Sequence, residues 1–195
     1  MTLSILMCTL PQPFRDGNFL KSISEKITTQ IRGRSVQFLY LGDNKSISVG
    51  EKRNHLLNMA KGDRICFVDD DDQITDNYVD KLLEYCELDF DCVGIGVKFT
   101  KDLETESIYD YSFKKNINTR DPKRGGMRIY GRMPNHLCLW RKEIAQRCVF
   151  PDMNLGEDHA WAEAQLLKGY SFHKTDEIIY HYDFRPQNTQ TRNRK

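Results

Sequence analysis

Four consecutive aspartates, Asp69, Asp70, Asp71 and Asp72, directly follow the strand-like run 64–68, Arg-Ile-Cys-Phe-Val. A buried strand that ends in four acids concentrates like charge where the chain leaves the core, which costs free energy unless a cation neutralises it. Hard divalent cations such as Mg²⁺ and Mn²⁺ prefer oxygen ligands and also hold phosphates. The acid run therefore predicts a metal–diphosphate site at the carboxyl-terminal edge of an α/β sheet.

Neither a helix-leading acidic turn nor a calcium loop fits the acid run as well. Aspartate is favoured near helix N-termini, but that preference accounts for one or two acids rather than four at a strand end. A calcium loop of the EF-hand type does not fit the spacing. Counting from Asp69 places Ile74 at the glycine position and Asp80 at the glutamate position.

Arg53 lies on the apolar face of a predicted helix. Val49, Arg53, Leu56, Leu57 and Ala60 recur at helical spacing and form one stripe that should face the sheet. A charge on that stripe needs a partner. Arg53 is either a snorkelling or salt-bridged arginine at the helix start, or a contact to a nucleotide or its phosphates. We favour the nucleotide contact.

Further candidate residues lie in the second half of the chain. Acids at a helix start, such as Glu157 and Asp158, are favourable for the helix dipole alone, but beside a donor site a carboxylate could act as general base on an acceptor hydroxyl. His181 lies in an apolar strand and could be a core or surface histidine, or a metal ligand through a ring nitrogen. Asn135 and His136 could touch sugar hydroxyls, and His136 could equally be a packed strand residue.

The elements that must position these residues alternate between strand and helix in the first part of the chain. The predicted strands are 3–8, 36–41 and 64–68, and the predicted helices are 18–31, 49–61 and a third from a Thr75 cap to about residue 87. This alternation predicts a largely parallel sheet with helices on its faces. Thr9, Asp43 and the acid run follow the three strands, so we expect them to converge where such sheets bind ligands.

The pattern changes after residue 89. We expect a strand over 92–99, then polar loops or a flexible flap over 101–124 with a hinge at Gly125 and Gly126, and two short strands within 127–140. A helix over 157–168, a strand over 178–182 and a polar, basic tail over 185–195 should follow.

Composition argues against several classes of function. The 195 residues carry 29 Lys and Arg against 28 Asp and Glu, and this net charge of +1 argues against a general nucleic-acid or membrane-surface binder. No stretch approaches the length of a transmembrane helix. The six cysteines form no C-x-x-C pair, so a structural zinc site is not expected and a reducing, cytoplasmic setting fits best.

Five short motifs together resemble an inverting glycosyltransferase of the GT-A fold, similar to the large family 2. They are Thr9-Leu10-Pro11, Gly42-Asp43-Asn44-Lys45, Gly50-x-x-Arg53-Asn54 with Ala60-x-Gly62-Asp63, Phe67-Val68-Asp69-Asp70-Asp71-Asp72, and Glu157-Asp158. Each motif is weakly specific alone, but all five occur in the family's order and approximate spacing between about residues 3 and 181. One departure is Gly42, where the family has an acid.

The resemblance implies one α/β domain over residues 1–195. Its fold would be GT-A (Rossmann-like), with a mostly parallel central sheet, flanking helices and a smaller C-terminal acceptor-side region. Residues 1–99 would form the nucleotide-sugar-binding half, 100–184 the acceptor and catalytic half, and 185–195 the polar tail.

The resemblance also implies a role for each candidate residue. Thr9 and Asp43 would hold the nucleotide base, with Asp43 accepting from a uracil ring N–H, and Arg53 would support the nucleotide. The other donor-binding candidates and the metal ligands come from the acid run and the later segments. Donor binding would use Asp69, Asp70, Asp71 and Glu157, and a Mn²⁺ or Mg²⁺ ion would use Asp71, Asp72 and His181. The register within the four aspartates stays open.

The implied reaction is the inverting transfer of a sugar from a nucleotide-sugar, a UDP-sugar, to a hydroxyl of a glycan or glycoconjugate, with Asp158 as general base. A nucleotidyltransferase is one alternative, but it usually needs a glycine-rich, basic N-terminal loop, and residues 9–18 contain only Gly17 and Arg15. A non-catalytic nucleotide- or carbohydrate-binding module is another, and Asp158→Asn would then change nothing.

Overall fold

The structure is a computed structural model that describes residues 2–10, 17–101, 105–111, 117–120 and 128–184. Within these ranges the chain forms one ten-stranded mixed sheet and five helices. Pro11 of the first motif, the glycine pair 125–126 and the tail 185–195 lie outside the described residues. No helix in the described part is long and apolar enough to cross a membrane.

The elements are defined as follows. The strands are β1 (Leu3–Thr9), β2 (Val36–Gly42), β3 (Arg64–Phe67), β4 (Gln73–Ile74), β5 (Cys92–Lys101), β6 (Thr105–Asp110), β7 (Ile117–Arg120), β8 (Arg128–Gly131), β9 (Leu139–Arg141) and β10 (Phe172–Phe184). The helices are α1 (Gly17–Gln30), α2 (Val49–Met59), α3 (Tyr78–Cys86), α4 (Lys142–Ala145) and α5 (Glu157–Lys168).

The sheet runs in the order β2-β1-β3-β9-β5-β6-β8-β7, and β10 pairs with β5 and β4. The two longest ladders, β1 with β2 and β5 with β10, are parallel, and β1 also pairs in parallel with β3. The short strand β9 pairs in antiparallel orientation with both β3 and β5. The predicted mostly parallel α/β sheet with flanking helices is therefore confirmed.

The core lies on both faces of the central strands, because β1 and β3 are buried almost throughout. This explains their nearly continuous apolar sequences, which are typical of a sheet covered on both sides. The six cysteines are all unpaired, and most are buried. Burial raises the pKa of Cys66 to about 12, so this thiol packs as a small apolar group.

Two local predictions are wrong. Thr75 does not cap α3, because its Oγ1 contacts Asn77 Oδ1 (2.7 Å) and Ile179 O, and the helix begins only at Tyr78. The segment 101–124 is not all loop, since its described parts include β6 and β7. Backbone pairing with β5 and β8 forms these strands, and such pairing does not require the apolar sequence by which strands are recognised.

Candidate functional site

A cleft of about 260 Å³ lies beyond the carboxyl ends of β1 and β3. Its polar lining includes Asp69, Asp70 and Asp71 from the acid run, together with Glu157 and Asp158 from the start of α5. Arg53, His136 and Tyr182 also line it. The tertiary structure thus brings the two acidic motifs, about 90 residues apart in sequence, to one place.

Helix α2 is held against the segment that leads into α5. A Cβ on Gly50 would lie 1.9 Å from Pro151 O, so only glycine permits this approach. Asn54 Nδ2 donates to Phe150 O (2.8 Å), and Phe150 N–H donates back to Asn54 Oδ1 (3.0 Å). The Gly50-x-x-Arg53-Asn54 motif is therefore a docking surface that places Arg53 opposite Glu157.

Arg53 joins the two acidic motifs. Its Nη2 donates to Asp69 Oδ1 (3.1 Å) and its Nε donates to Glu157 Oε1 (3.2 Å). The guanidinium lies 5.0 Å from the centroid of the Phe67 ring, and Nη1 is buried without a hydrogen-bond partner among the described residues. Arg53 is thus a buried, salt-bridged arginine, and a direct contact to a nucleotide stays a prediction.

Asp69 is a strongly perturbed carboxylate of the cleft. Burial alone would raise its pKa, but the charges and hydrogen bonds of His136 and Arg53 outweigh burial and hold the pKa well below its usual value. The backbone N–H of Asp69 donates to Tyr180 Oη (3.0 Å), which fixes the turn after β3. Asp69 is therefore a firmly ionised and oriented group at the cleft floor.

His136 lies between Asp69 and Asp158. It is 4% exposed, and its Nε2 lies 3.3 Å from Asp69 Oδ2 while its Nδ1 lies 3.5 Å from Asp158 Oδ2. The alternative of a packed strand residue is right about packing and wrong about the strand, because His136 lies in the turn before β9, where its carbonyl accepts from Phe67 N–H (3.0 Å). A contact from His136 to sugar stays a prediction.

Asn135 shapes the same turn. Its Oδ1 accepts from Leu137 N–H (3.1 Å), and its carbonyl accepts from Trp140 Nε1–H (2.8 Å). These bonds tie the turn to the buried Trp140 and thereby hold His136 in place.

Lys52 is a site residue that the sequence prediction missed. It is only 1% exposed, and its Nζ donates to Asp43 Oδ1 (2.5 Å) and to Thr9 O (3.3 Å). Thr9 Oγ1 in turn donates to Asp70 Oδ2 (2.6 Å). Thr9, Asp43 and the acid run therefore converge through Lys52. The sequence did contain a signal for Lys52, because its spacing of three residues from the apolar Val49 puts it near the buried side of α2.

Asp43 is held as a carboxylate by its partners. Burial opposes ionisation, but the hydrogen bond and charge of Lys52 and the backbone N–H of Ile47 lower the pKa of Asp43 below its usual value. One oxygen, Oδ1, accepts from Lys52, and the other, Oδ2, accepts from Ile47 N–H and Ser46 Oγ.

The three predicted metal ligands are not gathered into one set. The described residues hold no group of three or more His, Cys, Asp or Glu side chains that could bind a metal ion. Asp72 is buried, accepts from Tyr180 Oη at Oδ2 (2.6 Å), and lines a different cavity, of about 340 Å³, between α1 and β4. Burial and the charges of Asp69 and Asp71 raise the pKa of Asp72 well above its usual value.

His181 is not part of the cleft lining. Its neighbour on β10, Tyr182, lines the cleft, and Tyr180 contacts the acid run. Asp71 remains the one predicted metal ligand in the cleft lining. The cleft lining carries more carboxylates than cationic groups, and carboxylates offer oxygen atoms as metal ligands. The lining therefore suits a hard divalent cation.

Comparisons with known proteins agree with this architecture. The family model described as "Glycosyl transferase family 2" matches residues 20–148. No curated protein matches the sequence significantly.

Solved structures of S. aureus TarS 1–349 share the fold. One matches with a TM-score of 0.65 at 16% sequence identity, covering 94% of this chain and 60% of TarS 1–349. The complex with UDP gives 0.65 at 16% identity, covering 96% and 62%, and the complex with UDP-GlcNAc gives 0.63 at 16%, covering 95% and 59%. The chain therefore spans about 60% of the length of TarS 1–349, and at this identity the likeness shows a shared GT-A fold.

Proposed function

Because this chain belongs to glycosyl transferase family 2, we propose that it is an inverting, metal-dependent enzyme that moves a sugar from a UDP-sugar to a hydroxyl of a glycan or glycoconjugate. The observation that carries the proposal is that Asp69, Asp70 and Asp71 of the acid run line one cleft together with Asp158 at the start of α5. The structures of TarS with UDP and with UDP-GlcNAc support the choice of UDP as the nucleotide.

The donor would lie across the carboxyl ends of β1, β2 and β3, where α/β sheets bind nucleotides. Thr9 and Asp43 would hold the uracil base, with Lys52 neutralising Asp43 and fixing its orientation. Asp69, Asp70 and Asp71 would face the ribose and diphosphate side. Glu157 would act mainly through Arg53, because its Oε1 already accepts from the guanidinium.

A divalent cation, Mn²⁺ or Mg²⁺, would be held by Asp71 among the three candidate ligands, because Asp71 lines the cleft whereas Asp72 and His181 are not part of its lining. When bound, such a cation offsets the negative charge that develops on the leaving diphosphate. The remaining ligands would be oxygens of the diphosphate and water, as is usual for Mg²⁺ at phosphates.

Asp158 would act as general base. Its side chain is 30% exposed and lines both the donor cleft and an adjoining cleft of about 230 Å³, which Arg132, Asn135 and Tyr182 also line. An acceptor in the adjoining cleft would present its hydroxyl to the Asp158 carboxylate, which takes the proton.

The rest of the proposed displacement completes the transfer. The hydroxyl oxygen forms a bond to the anomeric carbon from the side opposite the diphosphate. The bond from that carbon to the phosphate oxygen breaks, and its electron pair leaves with UDP. A single displacement of this kind inverts the anomeric configuration and needs no covalent sugar–enzyme intermediate.

Calorimetric titration of UDP and of GDP, first with Mn²⁺ and then with EDTA, tests the proposal. We expect UDP to bind in the presence of Mn²⁺, to bind much more weakly with EDTA, and to bind more tightly than GDP. UDP-sugars would then be screened for release of UDP. Failure of both nucleotides to bind would contradict the proposed donor, and binding without any turnover would favour a non-catalytic module.

A further inference from the structure

We propose that His136 is a positioning residue that couples the two sides of the cleft, because it bridges Asp69 on the donor side and Asp158 on the acceptor side. Its Nε2 would orient Asp69 for donor binding, and its Nδ1 would orient Asp158 for proton removal. This inference rests on the proposed function, since it assigns those roles to the two carboxylates.

The geometry sets His136 apart from an ordinary core histidine. Its side chain is 5% exposed, it packs edge-on against Phe67 with ring centroids 6.3 Å apart, and both of its nitrogens face carboxylate oxygens of the cleft. The turn that carries it is anchored through Phe67 N–H and Trp140 Nε1–H, so the ring has little freedom to turn away.

The two nitrogens are not equally engaged. Nε2 lies 3.3 Å from Asp69 Oδ2 and forms a hydrogen bond. Nδ1 lies 3.5 Å from Asp158 Oδ2, and it is buried without a hydrogen-bond partner among the described residues. Hydrogen bonds between catalytic groups are often long in ligand-free structures and shorten when substrate binds. The contact from Nδ1 to Asp158 is of this kind.

The chemistry explains why an imidazole is suited to this position. Two carboxylates that face one cleft repel each other, and the repulsion would turn Asp158 away from its working orientation. An imidazole can donate from both nitrogens only in its charged form, and in that form it also offsets this repulsion. An aliphatic side chain of the same size would do neither.

Two amide substitutions separate the contacts. The nitrogen of asparagine lies as many bonds from Cβ as histidine Nδ1, so His136→Asn retains a donor towards Asp158 and loses the contact to Asp69. The nitrogen of glutamine corresponds in the same way to Nε2, so His136→Gln retains a donor towards Asp69 and loses the contact to Asp158. Each variant is therefore the control for the other.

The readouts are the dissociation constant of UDP with Mn²⁺ by calorimetry and the maximal rate of UDP release from the UDP-sugar that the wild type turns over fastest. For His136→Gln we expect UDP affinity within about twofold of wild type and a rate about 10- to 100-fold lower, since a misplaced base loses most of its contribution. For His136→Asn we expect about tenfold weaker UDP binding, the effect of about 1.4 kcal/mol, with the maximal rate within about threefold.

Matched controls are His55→Asn and His55→Gln, because His55 is exposed on α2 and contacts only Glu51 among the described ion pairs (3.7 Å). These should leave both readouts unchanged. Equal changes in affinity and rate in both His136 variants, or no change in either, would show a purely structural role and overturn the inference. If the wild type itself fails to bind UDP, the proposed function is overturned instead, and the inference with it.

Discussion

Replacing Arg53 with methionine should destabilise the protein strongly, because the change leaves two acids without their shared partner. Methionine retains much of the aliphatic length that packs against Phe67 and Phe150, whereas the charge and the two hydrogen bonds are lost. Glu157 then becomes a buried carboxylate that is 7% exposed and has lost the one cation that pairs with it among the described residues. The variant therefore tests whether Arg53 holds the site together.

The expected size follows from the burial of the pair. Removing one partner of a buried ion pair costs about 3–5 kcal/mol, because the remaining charge stays desolvated and unpaired. For a chain of this length, such a loss lowers the melting temperature by roughly 6–20 °C. Glu157→Gln should cost less, about 1–3 kcal/mol, since the amide oxygen still accepts from Arg53 Nε.

The assay is equilibrium urea unfolding of the wild type, Arg53→Met, Glu157→Gln and the double variant, with the slope of the transition checked in each. Because the two residues contact each other, the double variant should lose less than the sum of the single losses, by about 0.5–3 kcal/mol. Arg34→Met is the matched control. Its ion pair with Asp80 is largely exposed and should contribute about 0–1 kcal/mol.

The pH dependence gives a second check. In the wild type the lowered pKa of Asp69 contributes stability that is present above its usual value near 3.8 and is lost as the pH falls below it. Arg53→Met removes one of the two groups that lower this pKa, so the Asp69 pKa of the folded variant lies above that of the wild type. The stability gap between wild type and variant should therefore narrow as the pH falls through the Asp69 pKa of the variant. Any one of three results would refute the reasoning. Arg53→Met could lose as little stability as Arg34→Met, or the losses of the two single variants could add up exactly in the double variant. The stability gap between wild type and Arg53→Met could also widen as the pH falls.

Three further predictions concern the cleft. Asp158→Asn should bind UDP within about twofold of wild type by calorimetry, while transfer falls about 10²–10⁴-fold, because only the general base is lost; loss of UDP binding with an intact fold would contradict the assignment. Asp71→Ala should bind UDP with the same affinity in Mn²⁺ and in EDTA. If UDP still bound this variant more tightly in Mn²⁺ than in EDTA, the metal would be held elsewhere. Lys52→Met should cost about 1.5–3 kcal/mol in urea unfolding and raise the pKa of Asp43 towards 3.8, which NMR titration of the carboxyl would detect; an unchanged Asp43 pKa would contradict the pairing.

The amino-acid sequence by itself predicted the elements whose signals are local. The bounds of α5 were predicted correctly because Glu157 begins the helix and Gly169 ends it with a positive φ. The buried strands β1 and β3 were readable from their apolar runs, and the acid run marked the sheet edge where the cleft lies. These features depend on neighbouring residues only, so periodicity and end signals suffice.

Only the tertiary structure decided which candidates meet. Arg53 and Glu157 are 104 residues apart and His136 and Asp69 are 67 apart, and helix docking and turn geometry determine both contacts. His181 illustrates the reverse case, because it is not part of the cleft lining although its neighbour Tyr182 is. A sequence states which groups are available, but strand register and helix docking determine their separation, and at this site that separation decides the chemistry.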